Sequence, residues 1–223
     1  MIWYRKRSAS LTSSFRRSQL FIEPRSLAFI STGAAGTDQS QPTALLQPTL
    51  DGEETSYFEW LGAGSLQVRE VGGAMHRTDA PPAAVTLVQF GFSLDTLFVR
   101  VDGGVPMLDL LAGGRELSLK FAAPDGVRYS IRQALGRLSG RFWDRQAGEP
   151  RWIERGPGGA MFAAGTVLEV AIPLADLRLA PGQAVAFFVA VYDAGLETER
   201  HPPRLPIELV VPDARFEAHQ WRA

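Results

Sequence analysis

The stretch Leu97-Phe98-Val99-Arg100-Val101-Asp102 decides the fold, because an aliphatic residue stands at every second position along it. A β-strand turns successive side chains to opposite faces, so this pattern predicts a strand with one buried face and one wet face. The same alternation recurs in short segments along the rest of the chain, at 117–121, 127–132, 168–172 and 207–211.

Two further segments, Val85–Phe92 and Ala184–Val191, are apolar almost throughout and predict central strands that are covered on both faces. Gly- and Pro-rich turns separate the strand segments at short intervals. Together these features predict an all-β fold, a two-sheet antiparallel β-sandwich. Pro106–Leu111 and Pro173–Leu177 are each expected to form a short helix, because proline suits the first helical turn.

The folded domain is expected to span 44–223 and to follow a basic, poorly ordered leader over 1–43. Residues 1–37 carry six basic side chains and one acidic one, which leaves 17 basic and 23 acidic side chains in the rest of the chain. The stretch Ser31–Ser40 has the small polar composition of a linker. Asp51–Trp60 marks the start of the β domain.

Composition also excludes several classes of protein. The chain has 223 residues, 45% of them hydrophobic, and no cysteine, which excludes disulfides and zinc–cysteine sites. The acidic balance of the predicted domain makes nucleic acid an unlikely partner, because phosphate backbones bind basic surfaces. No apolar run is long enough to span a bilayer, and no signal peptide is recognisable, so we expect a cytoplasmic protein without a membrane partner.

Searches for catalytic motifs are negative, and the chain is therefore expected not to be an enzyme. It has no Gly-x-Ser-x-Gly elbow, no phosphate-binding loop and no His-Glu-x-x-His pair. The three histidines, His76, His201 and His219, are far apart in sequence, which is more typical of surface residues than of a metal site.

Aromatic residues supply the candidate binding site. Two segments, Arg141-Phe142-Trp143-Asp144 and Arg151-Trp152-Ile153-Glu154, flank a turn-rich stretch, and a tight turn centred on Ala147-Gly148 would place Trp143 opposite Trp152. Two adjacent indoles with Arg141 and Asp144 beside them would form a platform on which a sugar ring can stack. The alternative is that the indoles pack under a loop or against another domain.

Tyr57, Phe58 and Trp60 raise the same question. In an extended segment Phe58 and Trp60 would share one face and Tyr57 would take the other. At least one of these faces is expected to belong to the core. Tyr57 and Trp60 remain candidates for sugar contacts.

Three groups of segments resemble the C-terminal β domain of bacterial glycoside hydrolase family 57, the α-amylase, amylopullulanase and glucanotransferase group. The first is Pro48–Gly64, with Asp51-Gly52 and a tryptophan about nine residues further on. The second comprises Gly73–Arg77, Phe90–Phe92 and Leu97–Asp102, and the third runs from Glu199 to Trp221. The resemblance covers about residues 44–223, and the family's domain is similar to family 9 carbohydrate-binding modules.

The resemblance implies a non-catalytic accessory module associated with α-glucan-active glycoside hydrolases, with an α-glucan or another polysaccharide as its partner. The family's catalytic carboxylates lie in a barrel for which this chain has no room, so none of them transfers to it. An alternative implied by the same resemblance is a structural module that docks on a glycosidase barrel and binds no sugar itself.

No cofactor is expected, although related sandwiches hold calcium or haem. By that analogy, Asp51 and Glu53 are the candidate calcium ligands and Met75-His76 is the candidate iron-binding pair.

Overall fold

The computed structural model describes residues 39–56, 58–68, 83–146 and 151–216. Within these residues thirteen strands and one helix follow each other along the chain. They are β1 (Gln39–Ser40), β2 (Gly64–Gln67), β3 (Leu87–Phe92), β4 (Thr96–Asp102), α1 (Met107–Ala112), β5 (Glu116–Ala123), β6 (Val127–Ala134), β7 (Arg137–Arg145), β8 (Trp152–Gly156), β9 (Met161–Ala164), β10 (Val167–Pro173), β11 (Ala184–Asp193), β12 (Leu196–His201) and β13 (Ile207–Val210).

The strands form two antiparallel sheets. Sheet I has the order β1-β2-β3-β4-β10-β9, and sheet II has the order β12-β11-β5-β6-β7-β8, with β13 also paired to β11. Strand β11 carries β12 and β13 in succession along the edge opposite β5, because β12 pairs with its second half and β13 with its first half. The predicted two-sheet antiparallel sandwich is confirmed.

The core lies between the two sheets and is built from the alternating apolar residues. Phe90 of β3 meets Phe187 of β11 edge to face, with ring centroids 6.2 Å apart. Offset and edge-to-face ring pairs add stabilisation beyond the area that they bury. The apolar runs 85–92 and 184–191 form most of β3 and β11, and both strands are central as predicted, because each has hydrogen-bonded neighbours on both edges. Their outward faces are not covered throughout, since Gln89 and Phe188 are partly exposed.

One of the two predicted helices is present. Helix α1 begins after Pro106 and buries Met107, Leu110 and Leu111. The second prediction, a helix over Pro173–Leu177, is wrong. This segment makes consecutive turns, such as the bond from the amide of Leu177 to the carbonyl of Leu174, and the positive φ of Arg178 ends them before a helix forms.

Sheet I begins before residue 44, because Gln39 and Ser40 pair with Leu66 and Ser65. Leu46 then packs onto the outward side of this sheet, where its amide donates to the carbonyl of Phe92. The leader was expected over residues 1–43, and its first 38 residues lie outside the described residues. Residues 46–56 and 58–63 cover part of the outward face of sheet I and are called the lid segment.

Candidate functional site

The predicted hairpin of the two tryptophans exists, but its register differs from the expected one. Trp143 lies opposite Glu154, and Trp152 lies opposite Arg145. The connection is therefore longer than a tight turn centred on Ala147-Gly148, a stretch that lies outside the described residues. A shift of two residues leaves each side chain on the same face, because the period of a strand is two. Trp143 and Trp152 are consequently diagonal neighbours on the outward face of sheet II.

Arg128 joins these two indoles into one cluster. Its guanidinium carbon lies 5.4 Å from the ring centroid of Trp143, 4.9 Å from that of Trp152 and 6.0 Å from that of Tyr192. These distances are in the range of cation–π attraction, which favours one fixed arrangement of the rings. Arg128, Trp143, Trp152 and Tyr192 are called the Arg128 cluster.

The cluster combines apolar rings with a charged centre. Arg128, Trp143, Trp152 and Tyr192 are all half-buried. The Nε of Arg128 is fully buried and has no hydrogen-bond partner among the described residues. The rings therefore take the place of hydrogen-bond acceptors in holding part of this guanidinium.

Polar groups surround the cluster. The Nε of Arg141 lies 3.2 Å from the carboxylate of Glu154, which faces Trp143 across the hairpin. On the other side of Arg128, the Oε2 of Glu197 accepts from the Nζ of Lys120 at 2.7 Å and from the hydroxyl of Tyr192 at 2.9 Å. Of the predicted site residues, the structure thus brings together Trp143, Trp152 and Arg141.

Burial and the hydrogen bonds of this network shift two pKa values. Burial and the hydrogen bond to Glu197 raise the pKa of Tyr192. Burial acts to raise the pKa of Glu197, but its hydrogen bonds from Lys120, Tyr192 and Arg200 outweigh burial and hold it below its usual value. Around neutral pH the network therefore contains a neutral phenol and an ionised carboxylate.

Asp144 does not belong to the cluster. It follows Trp143 in β7, so its side chain points to the opposite face of the strand. There its Oδ2 lies 3.5 Å from the Nε of Arg155. The prediction that Asp144 flanks the indoles is therefore wrong.

Trp60 is also separate from this surface, because it is buried in the lid segment. Its Nε1 donates to the Oε1 of Glu169 at 3.0 Å. The expected extended segment is wrong as well, since residues 58–63 form successive turns, such as the bonds from the amide of Leu61 to the carbonyl of Phe58 and from the amide of Ala63 to the carbonyl of Trp60. Tyr57 lies outside the described residues.

The candidate calcium ligands bind groups of the protein. Asp51 accepts from the amide of Glu53 at 2.8 Å and from the hydroxyl of Thr55 at 3.2 Å, while Glu53 accepts from the hydroxyl of Thr166 at 2.7 Å. No group of three histidine, aspartate or glutamate side chains within the described ranges could hold a metal ion. Met75 and His76, the candidate iron-binding pair, lie outside these ranges.

Sequence reasoning missed three important residues. Arg128 and Tyr192 lie two strands apart in sheet II, and no local pattern indicates that they meet. Glu169 stands at a position of the alternating pattern that is expected to be wet, yet it has no exposed surface, because the lid segment covers it. The signal that could have indicated the burial of Glu169 is the Asp51-Gly52 pair with a tryptophan nine residues further on, since all three residues donate hydrogen bonds to Glu169.

Comparison with known proteins identifies no relative, because no family model, curated protein sequence or solved structure matches the chain. No helix in the described part of the chain is long and apolar enough to cross a membrane.

Proposed function

We propose that the protein is a non-catalytic carbohydrate-binding module and that the Arg128 cluster is its sugar-binding surface. The observation that carries the proposal is the presence of two half-buried indoles on the outward face of sheet II, held by a common cation. An indole presents a flat apolar surface, and the C–H face of a pyranose ring is a matching partner. The rings need little reordering on binding, which reduces the entropic cost.

Hydrogen-bonding groups at the edge of the rings support the proposal. Arg141 and Glu154 form an exposed pair next to Trp143, and Glu197 and Lys120 form a second pair on the far side of Arg128. Sugar hydroxyls can both donate to such carboxylates and accept from such cations. An aromatic centre with a polar rim is the general arrangement of a binding surface whose energy is concentrated in a few rings.

The proposed ligand class is a polysaccharide, with α-glucan as the first candidate. This choice rests on the resemblance to the C-terminal domain of glycoside hydrolase family 57 and not on the geometry of the cluster. Docking on a glycosidase barrel without sugar binding is less favoured. The most exposed large apolar side chains, Phe58, Leu135, Leu196 and Leu205, lie in different turns and elements and give no specific support to such an interface.

The experiment is native affinity electrophoresis in gels that contain amylose, glycogen, cellulose derivatives or no polysaccharide. We expect the full chain to be retarded by an α-glucan. Replacement of either indole, Trp143→Ala or Trp152→Ala, should weaken binding at least tenfold, the usual effect of losing a central aromatic contact. The matched control is Ile153→Ala, because Ile153 is exposed but points to the other face of β8.

The proposal is overturned by a folded protein that no polysaccharide retards, or by a Trp152→Ala variant that is retarded as strongly as the unmodified chain. Circular dichroism of each variant establishes that it is folded. If only cellulose derivatives retard the protein, it is still a carbohydrate-binding module, but its ligand is a β-glucan and not an α-glucan.

A further inference from the structure

A second concave site lies on the opposite side of sheet II, between the hairpin of β6 and β7 and the strand β9. It is a depression that opens widely to solvent, has a volume of about 480 Å³ and is called the cavity. Small-molecule sites in proteins typically have volumes of about 300–1,000 Å³. Its lining includes the aromatic and apolar residues Tyr129, Leu138, Ala160 and Phe162, together with Gly140, Arg137 and Arg141.

The chemically distinctive group of this cavity is the hydroxyl of Tyr129. The side chain is only 1% exposed, and its ring packs on Phe142 with centroids 4.7 Å apart. The hydroxyl has no hydrogen-bond partner among the described residues, although Tyr129 lines the cavity. The fully buried side-chain nitrogens and oxygens that lack a partner in the described residues do not include this oxygen, so it is accessible from the cavity. A ligand in the cavity can therefore reach the hydroxyl and accept its hydrogen bond.

Gly140 allows the hydroxyl to reach this position. A Cβ atom built at residue 140 would overlap the Oη of Tyr129 and would lie 3.1 Å from the ring of Phe162. Only glycine therefore leaves space for the phenol where β7 crosses its path. The hydroxyl and the ring of Phe162 consequently meet at one point of the lining.

The phenol is a hydrogen-bond donor over the whole physiological range. Burial raises its pKa to about 12, while the charge of Arg141 acts to lower this pKa and that of Asp176 to raise it. The carboxylate of Asp176 already accepts from the amide of Gly159 at 2.8 Å. A protonated phenol in such a site best matches a ligand that supplies an acceptor oxygen.

Two arginines make the lining electropositive. Arg141 contributes to it but is paired with Glu154. Arg137 also contributes, is exposed, and makes no ion pair or hydrogen bond with any described residue. Cations near an apolar cavity favour a ligand that carries a negative charge.

We propose that this cavity binds a small cyclic carboxylate, whose carboxylate accepts the hydrogen bond of Tyr129 and whose ring packs against Phe162 and Leu138. The cavity and the rings of the proposed sugar-binding surface lie on different sides of sheet II, because Tyr129 and Arg128 are consecutive residues of β6 and point to opposite faces. Arg141 borders both sites, and no variant of the experiment changes it. Binding at one face can therefore be lost without loss at the other.

The experiment is a titration of the ¹⁵N-labelled full chain followed by amide chemical shifts, with benzoate as the probe. Benzoate should shift the amides around Leu138, Gly140 and Phe162 saturably. Toluene, which has the ring without an acceptor, should bind at least tenfold more weakly. Tyr129→Phe keeps the ring and removes the hydroxyl, and it should weaken benzoate binding about tenfold or more, the usual value of a hydrogen bond to a charged group.

Two further variants make the experiment decisive. Ala160→Leu fills the cavity from the side of sheet I and should abolish the shifts. Ser118→Ala removes a buried hydroxyl that points to the outward face of sheet II, where it lies 2.6 Å from the hydroxyl of Ser130, and should leave benzoate binding unchanged. The amide spectrum itself reports whether each variant is folded.

The proposal is overturned if benzoate causes no saturable shift around the cavity of the folded chain. Equal affinity of the Tyr129→Phe variant or of toluene would also overturn it, because the acceptor would then contribute nothing. Loss of polysaccharide binding alone leaves this proposal standing, and loss of benzoate binding alone leaves the sugar-binding proposal standing.

Discussion

The indole of Trp60 and the carboxylate of Glu169 are joined by a hydrogen bond of 3.0 Å, although Glu169 has no exposed surface. The second oxygen of the carboxylate accepts from the amides of Asp51 at 3.0 Å and of Gly52 at 3.1 Å. The lid segment is thus held to sheet I by three donors on one buried acid. A buried carboxylate is tolerated only when its oxygens are satisfied in this way.

Removing the charge of Glu169 should destabilise the fold. In Glu169→Gln one carboxylate oxygen becomes an NH₂ group, so the amide cannot accept from the indole and from the two backbone amides together. We expect the free energy of unfolding to fall by about 2–4 kcal/mol, as for a buried pair that loses one partner. Urea unfolding followed by circular dichroism measures this change.

Glu208→Gln is the matched control for Glu169→Gln, because Glu208 is exposed on β13. Its effect should lie within about 0.5 kcal/mol of zero. Equal stabilities of the two variants would contradict the role assigned to Glu169.

Replacement of Gly52 by alanine should reduce the free energy of unfolding more than replacement of Gly182, a glycine of the same backbone conformation. Gly52 has a φ of +79°, and a Cβ built there would lie 2.7 Å from the amide nitrogen of Gly165. Gly182 has a φ of +81°, but a Cβ there would meet nothing within 4 Å. Gly182→Ala should therefore cost only the backbone strain, about 1–2 kcal/mol.

Gly52→Ala should cost about 1–3 kcal/mol more than Gly182→Ala, because it adds steric overlap to the same strain. The difference between the two urea midpoints, at equal slopes, measures this extra cost. A difference of zero would show that the lid segment can move away from Gly165 freely.

Arg128 should stabilise the fold through the contacts of its guanidinium with the surrounding aromatic rings. Arg128→Met keeps an unbranched apolar stem but removes the guanidinium from Trp143, Trp152 and Tyr192, so we expect a loss of about 1–2 kcal/mol. Arg132→Met is the matched control on the same strand and face, since Arg132 is exposed. Tryptophan fluorescence during urea unfolding follows both variants, and equal losses would refute the cation–π contribution.

The buried phenol of Tyr129 should make the protein sensitive to alkali. Its pKa rises from 10.0 when unfolded to about 12 in the fold, so between these values the folded state binds more protons than the unfolded state. The contribution of Tyr129 to the free energy of unfolding is therefore fully present below pH 10 and is lost as the pH rises towards 12. The loss should be on the order of 2 kcal/mol.

Comparison with Tyr129→Phe isolates this effect, because burial also raises the pKa of Tyr192. The variant should lose less stability than the unmodified chain over the same pH range in urea unfolding experiments. Identical pH profiles would indicate that Tyr129 ionises as it does in the unfolded chain.

The sheets were predictable because strand alternation is a local property. The aliphatic positions of Leu97–Asp102 and of 127–132 face the core as the pattern indicates, and α1 begins after Pro106 as expected. The hairpin of Trp143 and Trp152 was predictable as a hairpin. Its register was not, because the length of the connection decides it and the flanking residues allow more than one length.

The candidate site was predictable only in part. Arg141 and Trp143 share one face because they are two residues apart in β7, and the hairpin pairing places Trp152 of β8 on the same face. Asp144 directly follows Trp143 in β7, so strand alternation already assigns its side chain to the other face. The approach of Tyr192 to Arg128 depends on β11 lying next to β5 and not elsewhere, and no local pattern specifies this order.

By itself, the sequence determined that this chain forms two antiparallel sheets with an apolar interior, because the period of the side chains dictates which face of each strand is buried. Only the tertiary structure decided that Glu169 is buried and that the hydroxyl of Tyr129 lines a cavity. The Trp60–Glu169 bond joins residues 109 positions apart. Contacts of this separation depend on how complete strands pack, and no window of the sequence contains both partners.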